Sequence, residues 1–310
     1  MNHIDILLMN NREKKDMKKT VTVITPTYNR AGLLEKLYLS LESQTVKDFL
    51  WLIIDDGSID NTKSIVEELK EKASFPISYI YKNNGGKHTA LNEGIKGITS
   101  VLTMIVDSDD RLLPNAIEDV CTIHEKYMFN KDIGAYCFLR CYSDGNPIVS
   151  LEEDEFVASY IKFRIKENRP GDMAEVFKTE VLKEFKFPEF PGEKFLSEDV
   201  VWIQIGMKYK FVFVKKSVYQ CEYLEGGLTA NDKAMKFSSP LGSMLRGKML
   251  MHKECGFKQN IKGAIIYNCY KKDARSDNKK ELELDFRSRL LCFSCKLVSR
   301  YYYKKWKEEV

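Results

Sequence analysis

The chain has 310 residues, 44% of them hydrophobic and 30% charged, a composition that excludes a disordered, collagenous or low-complexity protein. No apolar run approaches the ~20 residues that a membrane-spanning helix needs; the longest, Phe49–Ile54 and Val101–Val106, span six, the latter interrupted by Thr103. The net charge of +4 hides an asymmetry, because residues 231–310 carry 19 Lys and Arg against 9 Asp and Glu, a balance of +10, while residues 1–230 stand at −6.

Met1–Lys19 is polar and mixed in charge, without the apolar centre of a secretory signal, so the expected location is the cytoplasm. Residues 20–142 then alternate strands and helices. Val21–Thr27 reads as a buried strand, and Leu33, Leu34, Leu37 and Leu41 repeat at helical spacing behind it. Phe49–Ile54 is a second buried strand. Ser58 and Asp60 are N-cap candidates for a helix running to about Lys72. Ile77–Tyr81 is a third strand, His88–Ile98 a helix behind Gly85-Gly86, and Val101–Val106 a fourth strand. Pro114 suits the first turn of a helix reaching about Tyr127, and Ala135–Tyr142 closes the series as a strand. Strands separated by helices of this length predict an α/β fold with a parallel sheet covered on both faces. Further on, Asp172–Phe185 and Glu198–Tyr209 read as helices and Phe211–Val214 and Ser217–Tyr223 as strands; beyond Thr229 the pattern is helical, with basic and apolar residues interleaved.

In such sheets ligands bind outside the carboxyl ends of the strands, and four polar clusters fall there: Thr25–Asn29, Asp55–Ser58, Asn83–Lys87 and Asp107–Asp110. Asp107-Ser108-Asp109 places two carboxylates one residue apart, a repulsion that a hard divalent cation relieves; a lone D-x-D also reads as a solvated turn. Asp55-Asp56 can accept the N3–H of uracil or a ribose hydroxyl, while Gly57-Ser58 reads as a turn with a cap. Neither G-x-G-x-x-G after the first strand nor G-x-x-x-x-G-K-[ST] is present, which counts against NAD-dependent dehydrogenases and P-loop kinases. The eight cysteines are scattered, as thiols in a reducing compartment would be, and the lone Cys292-x-x-Cys295 reads as two small apolar residues on a helix face rather than as a zinc site.

Together, Thr25-Pro-Thr-Tyr-Asn-Arg30, Asp55-Asp-Gly-Ser58, Asn84-Gly-Gly86 with Ala90 and Asn92, Asp107-Ser-Asp-Asp110 and the later Glu198-Asp199 before Val200-Val-Trp202 resemble the family-two glycosyltransferases, in that family's order and over about residues 20–230. The resemblance implies a GT-A nucleotide-diphospho-sugar transferase fold and inversion at the anomeric carbon. It places Pro26 and Tyr28 around the base, Asp56 on uracil with Asp55 nearby, Asn84 at the base or ribose, Asp107 at the ribose or sugar, Asp109 on Mn²⁺ or Mg²⁺ and Asp199 as general base. The family's Ala-Arg-Asn stretch here reads Ala90-Leu91-Asn92, and Lys87 is the candidate replacement cation. His88 reads either as a phosphate contact or as helix-start polarity, and Trp202 as a core residue ahead of an acceptor platform.

The expected organisation is a polar extension (1–19), a catalytic domain (20–230) and a basic helical region (231–310). The expected function is transfer of a sugar from a UDP-sugar to a glycan, glycolipid or glycoconjugate acceptor in bacterial surface polysaccharide synthesis. The alternative is a non-catalytic sugar-nucleotide or glycan-binding module of the same fold. No nucleic-acid partner is expected, since the basic region carries no recognisable motif with base-stacking aromatics. Leu290–Lys307, aromatic and cationic together, suits either the inner face of a membrane as a peripheral contact or a helix packed on the catalytic domain or in a homo-oligomer.

Overall fold

A computed structural model describes residues 19–221, 232–274 and 282–309. Its frame is a nine-stranded sheet with β1 (Val21–Thr27), β2 (Phe49–Asp55), β3 (Ile77–Tyr81) and β4 (Leu102–Ile105) side by side and parallel, in the order β3-β2-β1-β4. All seven residues of β1 are buried, as a strand covered on both faces requires. Alternate side chains serve two cores. Val21, Val23, Trp51 and Ile53 pack with α1 (Ala31–Glu42), α2 (Thr62–Lys72) and α4 (Ala116–Tyr127), whereas Ile24, Leu52 and Ile54 pack with α3 (Lys87–Gly97) on the other face.

The parallel order ends at β4. Between β4 and β6 (Ile133–Cys141) lies β8 (Met173–Lys178), antiparallel to both. The expected helix at Asp172–Phe185 is therefore this strand followed by the short α5 (Thr179–Glu184). Met, Ala and Glu favour a helix locally, but Val176 and Phe177 are fully buried in the sheet's interior, and that burial decides the outcome. The two expected strands near residue 215 are one long strand, β9 (Lys210–Gln220), whose pairing with β6 shifts register midway. Strands β5 (Arg111–Leu112) and β7 (Glu155–Ser159) both run antiparallel against β9.

Two helix starts differ from the sequence reading. The second helix begins at Thr62, where Asp60 accepts the Thr62 N–H and hydroxyl and, with its other oxygen, the Ala31 N–H. Ser58 instead accepts the Asn29 N–H, and Asn29 accepts that of Ile59, so the loops after β1 and β2 are laced together. Pro114 precedes α4 by two residues, and its carbonyl accepts the Thr45 N–H.

Helix α6 (Asp199–Lys208) leads into β9. The basic region forms α7 (Asp232–Ser238), α8 (Pro240–Leu250), α9 (Phe257–Tyr270), α10 (Phe286–Ser294) and α11 (Lys296–Glu308). Its apolar residues Leu241, Met244, Ile266 and Tyr267 join the same core as Val200 and Trp202. Glu193 fastens this region to the loop before α6 by accepting the Leu241 and Gly242 N–H groups at the start of α8, at 2.7 and 2.9 Å. A Cβ on Gly247 would stand 2.7 Å from the Gly263 carbonyl oxygen and one on Gly263 2.5 Å from that of Gly247, so α8 and α9 touch backbone to backbone. Cys292 and Cys295 are buried, and the Cys292 Sγ lies 3.7 Å from the Met251 sulfur.

Candidate active site

The polar clusters read from the sequence meet at the carboxyl ends of β1, β2 and β4. Asp55 and Asp56 are almost wholly buried. Asp55 accepts the Ser58 N–H at 2.7 Å and the Tyr79 hydroxyl at 2.6 Å. Asp56 accepts from Lys82 Nζ at 2.6 Å and from the N–H groups of Gly85 and Gly86 at 2.9 and 2.7 Å. Asn84 donates its amide to the Asp56 carbonyl at 2.9 Å. These residues shape the loop before α3, and the sequence motif alone did not reveal Lys82 as its pin. Pro26 is buried in β1 opposite Ile54, and Tyr28 is half exposed beyond the strand end. Thr27 Oγ1 is buried with no hydrogen-bond partner among the described residues, the sort of atom that a bound ligand satisfies.

Asp107 and Asp109 each sit on one cation. Lys87 Nζ lies 2.5 Å from Asp107 and 2.8 Å from Glu198, so one ammonium ties the end of β4 to the start of α6. Arg30, from the loop after β1, pairs with Asp109 at 3.0 Å. Burial works against ionisation of Asp107, but Lys87, with Arg140 and Arg30 behind it, holds its pKa below the ordinary value. Asp110 is structural: it accepts the Tyr219 hydroxyl at 2.7 Å, and that hydroxyl accepts the Asp107 N–H at 3.0 Å.

Asp199 opens α6. Both of its oxygens accept from Arg246 of α8, Nε at 3.0 and 2.8 Å and a terminal nitrogen at 2.7 Å, and the Ser197 hydroxyl adds a bond of 2.7 Å. Burial raises the Asp199 pKa, but Arg246 and Ser197 outweigh it, so the carboxylate titrates below its usual range. Asp107, Glu198 and Asp199 line one cavity of about 540 Å³ with Arg140, Arg164 and Glu175. Burial pushes the Glu175 carboxyl up to about 7 against the pull of Arg140 and Arg164. Trp202 also reaches this wall, while its ring packs 4.3 Å from that of Phe177 in the core. His88 is buried, its pKa lowered first by that burial, and its Nδ1 has no partner among the described residues.

Sequence reasoning missed Arg246 and Arg140, which no short motif surrounds, and gave no role to Arg30 at the end of the Thr25–Arg30 motif; only the tertiary fold brings the three to the carboxylates. Among the described residues no group of three or more His, Cys, Asp and Glu is placed to hold a metal. The chain itself offers two neighbouring hard oxygen donors, Asp107 and Asp109, both partly accessible. That set fits Mg²⁺ or Mn²⁺, which take one or two carboxylates and complete their shell from phosphate and water.

A mixed sheet with its acidic motifs at the carboxyl ends of the parallel strands defines a nucleotide-sugar transferase fold of the GT-A type. Residues 22–174 match the profile of Glycosyl transferase family 2, and this part of the chain belongs to that family. It is 34% identical over 127 residues to an uncharacterized glycosyltransferase of Mycoplasma pneumoniae, a match covering 39% of this chain and 42% of that one. It is 28% identical over 208 residues to the GalNAc(5)-diNAcBac-PP-undecaprenol beta-1,3-glucosyltransferase of Campylobacter jejuni, covering 63% and 62%. The chain thus spans less than half the length of the Mycoplasma relative. Among solved structures, S. aureus TarS 1–349 in complex with UDP-GlcNAc superposes with a TM-score of 0.62 at 18% identity, covering 90% of this chain and 79% of that one. The mannosyltransferase PcManGT of Pyrobaculum calidifontis, in complex with GDP-Man and Mn²⁺, superposes at 0.55 and 18% identity, covering 97% and 90%. At these identities the structural likenesses establish the fold.

Proposed function

We propose that the chain is a metal-dependent, inverting glycosyltransferase that moves a sugar from a UDP-sugar to an acceptor hydroxyl in bacterial surface polysaccharide or glycoconjugate synthesis. One observation carries the reading: the Lys87 ammonium bridges Asp107 and Glu198, so the donor-side and acceptor-side acidic motifs face one cavity. Pro26 and Tyr28 border the nucleotide base. Asp55, Asp56 and Asn84 hold the loop that lies against it, and Lys87 supplies the cation of the missing arginine. Asp109, with Asp107 beside it, would hold Mn²⁺ or Mg²⁺, which neutralises the charge gained by the departing diphosphate.

Asp199 accepts the acceptor hydroxyl's proton while that oxygen bonds to the anomeric carbon and the bond from that carbon to the diphosphate oxygen breaks. Inversion follows from this single displacement. Arg246 keeps the carboxylate ionised and aimed. The Campylobacter relative is named for a lipid-linked sugar, and TarS and PcManGT are seen with UDP-GlcNAc and GDP-Man, which supports a nucleotide-sugar donor without choosing the sugar.

No helix among the described residues is long and apolar enough to cross a membrane. Phe286, Leu290, Phe293, Leu297 and Tyr301 are all more than half exposed along α10 and α11, beside Arg289, Lys296 and Arg300. This stripe supports a peripheral seat on an anionic cytoplasmic membrane face. The test of the function is a panel of labelled UDP-sugars, with GDP-sugars as controls, incubated with the chain, Mn²⁺ and cell-envelope extract. Label should enter acceptor material with release of UDP. Tight UDP binding with no transfer from any donor would instead make the chain a binding module.

A further inference from the structure

Behind Asp199 lies a second cavity, of about 620 Å³, between α8, α9 and α11, a volume ordinary for a ligand site. It shares Ser197, Arg246 and Lys262 with the first cavity, so the two meet beside the proposed base. Its walls divide by chemistry. Ile261, Ile265 and Ile266 of α9 and Tyr302 and Trp306 of α11 supply an apolar surface. Lys233, Lys236, Arg246, Lys258 and Lys262 supply five basic side chains, and among the described residues no acidic one lines it. Lys233 pairs with Glu309 and Arg246 with Asp199. Around Lys262, by contrast, positive charge outweighs negative. Its pKa is lowered first by burial, then by Arg246, with Lys236 adding to the effect and Asp199 opposing it. Cations so placed gain most from an anion brought among them. The backbone contact between Gly247 and Gly263 fixes the neighbours Arg246 and Lys262 at this junction.

We propose that this groove binds the acceptor, and that the acceptor is an amphiphile: a phosphate-bearing head at Arg246 and Lys262, with a hydrocarbon chain lying along Ile261, Ile265 and Trp306. The proposal rests on the transferase reading and names its substrate class. A soluble polysaccharide would leave the isoleucine wall unused, and a neutral lipid would bring no anion to Lys262. A lipid phosphate uses both, and puts a sugar attached to its head next to Asp199.

Calorimetric titration of the full chain tests this with decyl phosphate below its aggregation concentration, against decanol and inorganic phosphate as its two halves. Decyl phosphate should bind at least about tenfold more tightly than either half, as joining a charged contact to several buried methylenes requires. Lys262→Ala should weaken decyl phosphate roughly tenfold and leave decanol unchanged. Ile265→Asp should weaken both amphiphiles. Equal affinity for decyl phosphate and decanol overturns the proposal, as does a silent Lys262→Ala, and so does the absence of saturable binding. A parallel titration with UDP and Mn²⁺ reports on folding and separates the two readings. A chain that binds UDP but not decyl phosphate keeps the donor site and loses this groove; one that binds decyl phosphate but not UDP keeps the groove and loses the donor assignment.

Discussion

The two acidic motifs are built alike and held differently. In each, one carboxylate rests on the shared Lys87 and the other on an arginine: Asp109 on Arg30, Asp199 on Arg246. Arg30 makes a single contact with Asp109 from a loop. Arg246 engages both oxygens of Asp199 from the middle of a helix, and Ser197 adds a further bond. Under the proposed function Asp109 would exchange its single partner for a metal, whereas Asp199 would stay fixed in position and charge as the base. A metal ligand and a general base need those opposite properties, which a motif of two acidic letters does not distinguish.

The strongest way to break the comparison is to neutralise the fixed carboxylate. Asp199→Asn keeps the shape and removes the basicity, so turnover should fall roughly 10²–10⁴-fold while UDP affinity with Mn²⁺ holds. Near-normal turnover would move the base to Glu175, the cavity carboxyl already pushed to about 7. Asp109→Ala should fail on the other side, losing metal-dependent UDP affinity as well as about 10²-fold or more in rate. Treating the unaltered chain with EDTA should reproduce that loss, and Mn²⁺ or Mg²⁺ should reverse it. Full turnover in thoroughly chelated protein would remove the metal from the scheme.

Arg246→Gln sharpens the comparison with a smaller effect. The guanidinium holds the Asp199 pKa down against burial, so without it that pKa rises and the base is protonated at higher pH. The acid limb of the turnover profile should move upward in pH, with less loss on the alkaline side. A uniform loss at every pH would make Arg246 a packing residue only.

The sequence made the donor half legible because each feature there is local. Strand β1 ends at Thr27 and β2 at Asp55, each with a helix starting a few residues on, and Asp107 lies two residues past the end of the buried β4. Asp199 was legible for the same reason, as the first residue of an apolar helix. Arg246 was not, since it reaches Asp199 across 47 positions by way of helix packing. The strand Met173–Lys178 was misread because its helix-favouring residues are held in the sheet by neighbours far away in the chain, Leu102–Met104 and Ala135–Leu139.

Gly86 joins the two halves of the site. It has a φ of +96°, and a Cβ there would stand 2.0 Å from the Lys194 carbonyl oxygen. The nucleotide-side loop thus bears directly on the backbone four residues before Glu198, and Glu193 ties that same segment to α8. The arrangement works as a hinge pin: the two loops cannot part without breaking a contact that has no side chain to stretch. Gly86→Ala, a change made on the donor side, should therefore raise the KM for acceptor at least about tenfold, because the Lys194 backbone must shift to admit the Cβ. Acceptor KM left untouched, with only UDP affinity altered, would show that the loops move separately.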